Sequence, residues 1–311
     1  MKRKLWILAL MLALILTAVA CGNGDPAAGT DTETDKTTDG ETTVADTEAA
    51  TTQEEATEAA TTEEATTEAV TEPSVPPVTS ITVATYNIRH GEDVDLDWSK
   101  LAEIILQSGA DIIGLQEVDM GTRRVQGMDT MAGLAEATGY PYYFFAPAMD
   151  YDNGQYGTAI LSRYPIASAK KVQLNSGSYE PRAFGAVTVT LEDNSSLLFL
   201  NTHLSYEDVF VQSTQFTQII KWINRNEATK MPVILTGDFN TSDFTVFDGL
   251  TDLGFSLINN AEHSYPTFRG SSTPIDNIVY LTSYLTPAEH GMIDSDRSDH
   301  NLLWCRFDLH R

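Results

Sequence analysis

Short apolar runs that stop abruptly at polar residues recur from residue 81 to the end of the chain. Ile81–Tyr86 alternates and is rich in β-formers, which predicts a first strand ending at Asn87. Leu101, Ile104 and Ile105 fall at helical spacing within 97–108, and Gly109 closes that segment. Asp111–Glu117 reads as a buried strand, Thr130–Thr138 as a helix running into Gly139, and Tyr142–Ala146 as an aromatic core strand. Further strands are expected near 158–162, 167–174, 183–191, 197–203, 231–235, 275–281 and 300–309. Between them, Val209–Asn224 places Phe216, Ile219, Ile220 and Ile223 on one helical stripe. Strands outnumber helices, and several adjoining strands are separated only by turn-like loops. That pattern predicts an α+β fold with mainly antiparallel sheets covered by helices.

The run Met231–Leu235 leads into Gly237-Asp238-Phe239-Asn240. If the chain stays extended, Asp238 and Asn240 share a face while Phe239 turns into the core. A plain strand-to-loop turn, with both side chains bonded to the backbone, accounts for the same residues. Other predicted strands also run out into polar groups: Asn87, Glu117, His203, Asp276 and the triplet Ser298-Asp299-His300. Each has its own structural explanation as a loop cap, a solvated carboxylate or a satisfied core histidine. If the ends converge, they gather four carboxylates, two amides and two imidazoles. Such an oxygen-rich cluster suits Mg²⁺ or Mn²⁺, with acid–base groups beside it.

Composition changes the picture at the amino end. Of 311 residues, Met1 to Ala20 reads as an export signal: Lys2, Arg3 and Lys4 precede an apolar stretch from Leu5 to Leu16. Ala18-Val19-Ala20-Cys21 resembles a bacterial lipoprotein cleavage box, with Cys21 as the lipidated first residue of the mature chain; plain secretion is the alternative. The stretch 21–78 is Thr-, Glu- and Ala-rich and carries 15 acidic residues against Lys36 alone. It cannot bury enough apolar surface to fold and is expected to be a disordered stalk. The remaining domain, 79–311, has a net charge of −14, which argues against a broad basic surface for polyanions. The one other cysteine, Cys305, lies in an apolar run and reads as a buried hydrophobe.

Six segments, taken together, carry a family resemblance: Thr85-Tyr86-Asn87-Ile88, Leu115-Gln116-Glu117-Val118, Asn201-Thr202-His203-Leu204, Gly237-Asp238-Phe239-Asn240, Ile275-Asp276-Asn277-Ile278 and Ser298-Asp299-His300. In order and content they resemble the motif series of the endonuclease/exonuclease/phosphatase (DNase I-like) superfamily. The resemblance implies a four-layer sandwich of two sheets flanked by helices, with the site at one sheet rim. It also implies Glu117 as the principal Mg²⁺ ligand, with Asn87 and Asp299 close to the metal. Asp238 would orient or deprotonate water, Asn240 would hold a phosphate oxygen, and Asp276 would orient His300. His203 would contact the phosphate or act as general acid. Tyr156 and Arg182 are further candidate phosphate contacts. Thr158 stands where the family often has asparagine, so it is left out of the site. The expected function is metal-dependent phosphoester hydrolysis, above all of a diester, on the outer face of a bacterial membrane. Lipid head groups, small phosphoesters and nucleic acids are all candidate substrates, and the chain is expected to act as a monomer. A non-catalytic surface-binding or adhesion module that retains the fold is the alternative.

Overall fold

Most of the apolar runs become strands in a computed structural model that describes residues 76–310. The expected export signal, Cys21 and the stalk up to residue 75 lie outside the described residues. In chain order the strands are β1 (Ser80–Asn87), β2 (Ile112–Met120), β3 (Tyr142–Tyr151), β4 (Gly154–Ser162), β5 (Ile166–Leu174) and β6 (Arg182–Thr190). There follow β7 (Ser196–His203), β8 (Val233–Asp238), β9 (Phe255–Leu257), β10 (Asp276–Leu281), β11 (Leu285–Ile293) and β12 (Leu302–Leu309). The helices are α1 (Trp98–Gln107), α2 (Thr130–Thr138), α3 (Val209–Arg225) and the single turn α4 (Asp248–Thr251). Asp97, Asp129 and Asp208 cap α1, α2 and α3, each accepting from backbone N–H groups of its helix's first turn.

One sheet runs β11-β12-β1-β2-β4-β3 and the other β5-β6-β7-β8-β10-β9. Each contains one parallel pair, β1/β2 and β7/β8; the remaining pairs are antiparallel. Both parallel pairs are joined through a helix, α1 in the first sheet and α3 in the second. Residues of both sheets fill the layer between them, among them Val83, Ile112, Val187, Phe199, Ile278 and Cys305. Leu101, Ile105, Met131 and Leu134 cover the outer face of the first sheet, and Phe216, Ile219, Phe247 and Leu250 that of the second. This is the expected α+β sandwich, with Cys305 a free, fully buried thiol.

The pairing directions decide where function can sit. The carboxyl ends of β1, β2, β7 and β8 and the amino ends of β10 and β12 come out on one rim. Asn87, Glu117, His203, Asp238, Asp276 and His300 are therefore brought to a common edge from positions up to 213 residues apart (87 to 300).

Several expectations are corrected. The strand after Leu235 continues to Asp238 and stops, and Asn240 has φ +52°, so Asp238 and Asn240 do not share an extended face. They meet through a turn in which the Asn240 N–H donates to Asp238 Oδ1 at 2.9 Å. Phe239 does enter the core. The aromatic strand β3 is an edge strand rather than a core strand, with Tyr142 38% and Tyr143 40% exposed. The last strand begins at Leu302, leaving His300 in the preceding loop. The mixed-polarity β11 and the three-residue β9 lacked an apolar run and were not expected.

Candidate functional site

Three adjacent strands of the second sheet set His203, Asp238 and Asp276 side by side. His203 is in register with Asp238 on the parallel neighbour, and Asp276 is in register with Asp238 on the antiparallel one. All three side chains are buried. Two carboxylates on one buried rung repel, and the loop before β12 supplies the counter-charge. His300 Nδ1 lies 2.8 Å from Asp276 Oδ2, and its Nε2 lies 3.7 Å from Asp238 Oδ2. Burial opposes a charged ring, but Asp276 and then Asp238 outweigh it and raise His300 to about 10. Burial, then the charge of Asp276, pushes the Asp238 carboxyl well above the usual carboxylate range. Asp238 Oδ2 also accepts from Asn87 Nδ2 at 3.1 Å and faces His203 Nε2 at 3.4 Å.

Glu117 reaches the rim by a different device. The pairing of β2 with β4 shifts register between Leu115 and Val118, and Glu117 sits in that bulge with φ +54°. A left-handed glutamate is strained, and such strain is held only where the surroundings over-determine it. Here the surroundings include Asn201, reaching across from β7. Its Nδ2 donates to Leu115 O at 2.8 Å and Ala159 O at 2.9 Å, and its Oδ1 accepts from Gln116 Nε2 at 2.7 Å and Thr236 Oγ1 at 3.0 Å. Gly114 makes room: a Cβ there would stand 2.2 Å from Thr236 Oγ1 and 2.4 Å from Asn201 Oδ1. Glu117 Oε1 accepts from Asn87 Nδ2 at 3.1 Å. Burial alone would raise this carboxyl, but the neighbouring His90 ring, the Asn87 amide and the charge of His300 hold it below the usual carboxylate range.

A cavity of about 440 Å³ opens over this rim. Its walls include Glu117, His203, Asp238, Asn240, Asp299 and His300, with Tyr156, Tyr206 and Phe268 as aromatic sides. Arg182 and Arg124 also reach it, each already paired. Arg182 Nη1 lies 2.9 Å from Glu180 Oε1, while Arg124 grips the fully buried Asp119 with two N–H bonds of 2.6 and 2.7 Å. Arg124 also lies over Tyr151, 4.7 Å from the ring centre.

The sequence of residues 84–300 matches the model of the endonuclease/exonuclease/phosphatase family. The chain belongs to this family. Its members are phosphoric ester hydrolases and are typically divalent-metal dependent. No curated protein matches the sequence significantly. Solved structures do share the fold. An endonuclease/exonuclease/phosphatase from Beutenbergia cavernae is 20% identical, with 75% of this chain and 72% of that one covered at a TM-score of 0.64. The human Nocturnin catalytic domain, solved with a sulfate anion, is 21% identical over 74% and 95% of the two chains (TM-score 0.60). A mannosyl-6-phosphatase of Bacteroides thetaiotaomicron is 18% identical over 74% and 100% (TM-score 0.56).

The donor set here fits the metal typical of the family. Glu117 and the partly exposed Asp299 offer open carboxylates, and Asp299 Oδ2 is still 3.7 Å from Arg89. Hard oxygen donors of this kind suit Mg²⁺ or Mn²⁺. The Asn87 amide stands beside them, with its Oδ1 accepting from the Arg89 N–H. Asp238, Asp276 and His300 also bring ligand atoms within 4.8 Å of one another. Asp276 Oδ2 and His300 Nδ1 are already engaged with each other, which suits that trio to acid–base work.

The structure thus brings together Asn87, Glu117, Tyr156, Arg182, His203, Asp238, Asn240, Asp276, Asp299 and His300. Cys21 lies outside the described residues. Tyr156 and Arg182 line the cavity, though Arg182 is buried and paired to Glu180. Sequence reasoning passed over His90, Arg124, Glu180 and Asn201. Asn201 stood inside a recognised motif, next but one to His203, and that was its only signal. Nothing in the sequence distinguishes Arg124 from a surface arginine.

Proposed function

We propose that this chain is a divalent-metal-dependent phosphodiesterase displayed on the outer face of a bacterial membrane. The observation that carries the catalytic part is the surroundings of Asp238. One buried carboxylate faces an amide and two imidazoles, beside an outward-facing Glu117 that no lysine or arginine neutralises among the described residues. Glu117, with Asp299 and Asn87 nearby, would hold Mg²⁺, which when bound would neutralise charge growing on the phosphoryl oxygens. Asp238, raised toward neutrality, is suited to take a proton from water near physiological pH. Asp276 orients His300 and stabilises it as a cation facing the reacting group. Asn240 lies at the cavity wall, with its Nδ2 also donating to Leu204 O.

Charge favours a diester. Both arginines of the cavity are already matched by carboxylates, so the protein itself offers little free positive charge to a dianionic monoester. The cavity volume and the domain's negative charge favour a small phosphoester or a lipid head group over long nucleic acid. Display at a membrane rests on the export signal, Cys21 and the acidic stalk.

The test is hydrolysis of bis(p-nitrophenyl) phosphate and p-nitrophenyl phosphate by the purified protein, with Mg²⁺ or with a chelator. Metal-dependent cleavage of the diester alone is the expected result. Cleavage of the monoester alone would reassign the chain as a phosphatase, and undiminished activity in chelator would remove the metal from the reading.

A further inference from the structure

Asp238 has a histidine on either side, and the two rings are held by partners of opposite kind. His203 Nε2 and His300 Nε2 lie 3.4 and 3.7 Å from the same oxygen, Asp238 Oδ2. Behind the rings the partners diverge. His300 Nδ1 meets the carboxylate of Asp276 at 2.8 Å, whereas His203 Nδ1 meets Nη1 of Arg182 at 3.0 Å. Both histidines, Asp276 and Arg182 are buried.

A carboxylate accepts, so His300 Nδ1 carries a proton. A guanidinium only donates and does not give up its charge in proteins. His203 Nδ1 must therefore present its lone pair, and the single ring proton must sit on Nε2. A doubly protonated His203 would set two donors and two positive charges 3.0 Å apart with no acceptor between them. Glu180, 2.9 Å from the same Arg182 nitrogen, keeps the guanidinium in place.

We propose that Arg182, backed by Glu180, is a positioning residue that holds His203 as a neutral Nε2–H donor and so removes it from proton transfer. A neutral imidazole that gave up its Nε2 proton would become an imidazolate, so His203 cannot protonate a leaving oxygen. It can only donate a hydrogen bond, to a phosphoryl oxygen or to Asp238. The rim then carries one cationic histidine and one neutral one, and their roles follow from the partners behind them. Burial and the Arg182 charge also hold the His203 pKa well below its ordinary value. Arg182, expected as a phosphate contact, acts here on the imidazole. The kinetic part of this inference rests on the proposed hydrolysis; the tautomer does not.

The experiment is ¹⁵N NMR of histidine-labelled protein in Mg²⁺, with His203 assigned by its absence from His203→Gln. The expected signature is a neutral Nε2–H ring that does not titrate between about pH 5.5 and 8.5. Arg182→Lys, also donor-only, should keep that tautomer. Arg182→Met should release it, so that His203 titrates and the pH profile of kcat/KM gains an ionisation absent from wild type. An Nδ1–H or titrating His203 in the wild-type protein would overturn the proposal, as would an Arg182→Met spectrum identical to wild type. If Arg182→Met does not fold, the wild-type titration decides alone. Absence of turnover in wild type would overturn the proposed hydrolysis and leave the spectrum to decide the tautomer.

Discussion

His300 Nδ1 stands 2.8 Å from Asp276 Oδ2, and both groups are buried at the rim where the two sheets end. An amide of the same shape can hold the ring in place but cannot stabilise its charge. Asp276→Asn should therefore leave the circular dichroism spectrum unchanged while lowering kcat by roughly 10²- to 10⁴-fold, the range for losing an acid–base partner. A kcat within threefold of wild type would show that the cationic form of His300 is not used.

The same pair gives the metal-free protein a pH-dependent stability. His300 binds its proton more tightly folded than unfolded, with a folded value near 10. Its contribution is full below the unfolded value of about 6.5 and is lost as pH rises toward 10. Asp238, raised by burial and by Asp276, acts with the same sign: its ionisation at rising pH also costs the folded state. The Tm of metal-free protein should fall from about pH 6.5 to 10, and Asp276→Asn should flatten that decline. A Tm that rises over this window would contradict the assignment.

Much of this arrangement was legible before any coordinates. Asn87, Glu117, His203, Asp238, Asp276 and His300 each end or precede an apolar run, and the repeated context is what strands sharing one rim must produce. What was not legible depends on register and backbone twist. Asn240 sits two residues after Asp238, as an extended pair would, yet a left-handed residue turns it. Glu117 lies in a bulge that no local pattern marks. Arg182 has the chemistry of a phosphate binder, and only tertiary packing shows that its Nη1 faces His203. β11 alternates too weakly to be seen, because an edge strand need bury little of either face.

The left-handed backbone at Glu117 makes a prediction that separates function from fold. A non-glycine residue in this region stores roughly 1–3 kcal/mol of strain. Glycine would release that strain and remove a carboxylate held near Asp238 and Asp299. Glu117→Gly should abolish metal-dependent turnover and move the metal-free Tm by little, because the strain released offsets the Asn87 hydrogen bond that is lost. Added Mg²⁺ should raise the Tm of wild type by mass action and leave the variant unmoved. A Tm several degrees below wild type without metal would make Glu117 a structural residue instead.

Arg124 and Asp119 should respond unequally to substitution. Asp119 is fully buried, while Arg124 is about one-third exposed. Removing the arginine strands a buried carboxylate, with Thr122 Oγ1 at 2.5 Å as a neutral partner. Removing the acid frees a guanidinium that can reach water. Arg124→Met should thus cost about 3 kcal/mol in urea unfolding, and Asp119→Asn distinctly less. Equal losses would indicate that packing on Tyr151, rather than the ion pair, dominates.

Asn201 is the residue through which one sheet shapes the metal side of the other. Where β2 bulges away from β4, the carbonyls of Leu115 and Ala159 take the two hydrogens of the Asn201 amide. Alanine would take that amide from both carbonyls in a dry interior, while the Gln116 amide keeps Thr85 Oγ1 and the Thr236 hydroxyl keeps Leu200 O. At about 1–3 kcal/mol for each buried group left unsatisfied, the total is a large part of a domain's usual stability of 5–15 kcal/mol. Some relaxation will occur, so Asn201→Ala is expected to lose about 3–5 kcal/mol in urea unfolding. The bulge also sets where the Glu117 carboxylate points, so surviving folded protein should bind Mg²⁺ roughly 10- to 100-fold more weakly, as measured by calorimetry. Asn201→Asp tests the donor role separately, since it keeps the size but turns an N–H₂ facing two carbonyls into an acceptor. It should be at least as damaging as alanine. If either variant keeps wild-type stability and Mg²⁺ affinity, the geometry of Glu117 is set within its own sheet and not by Asn201.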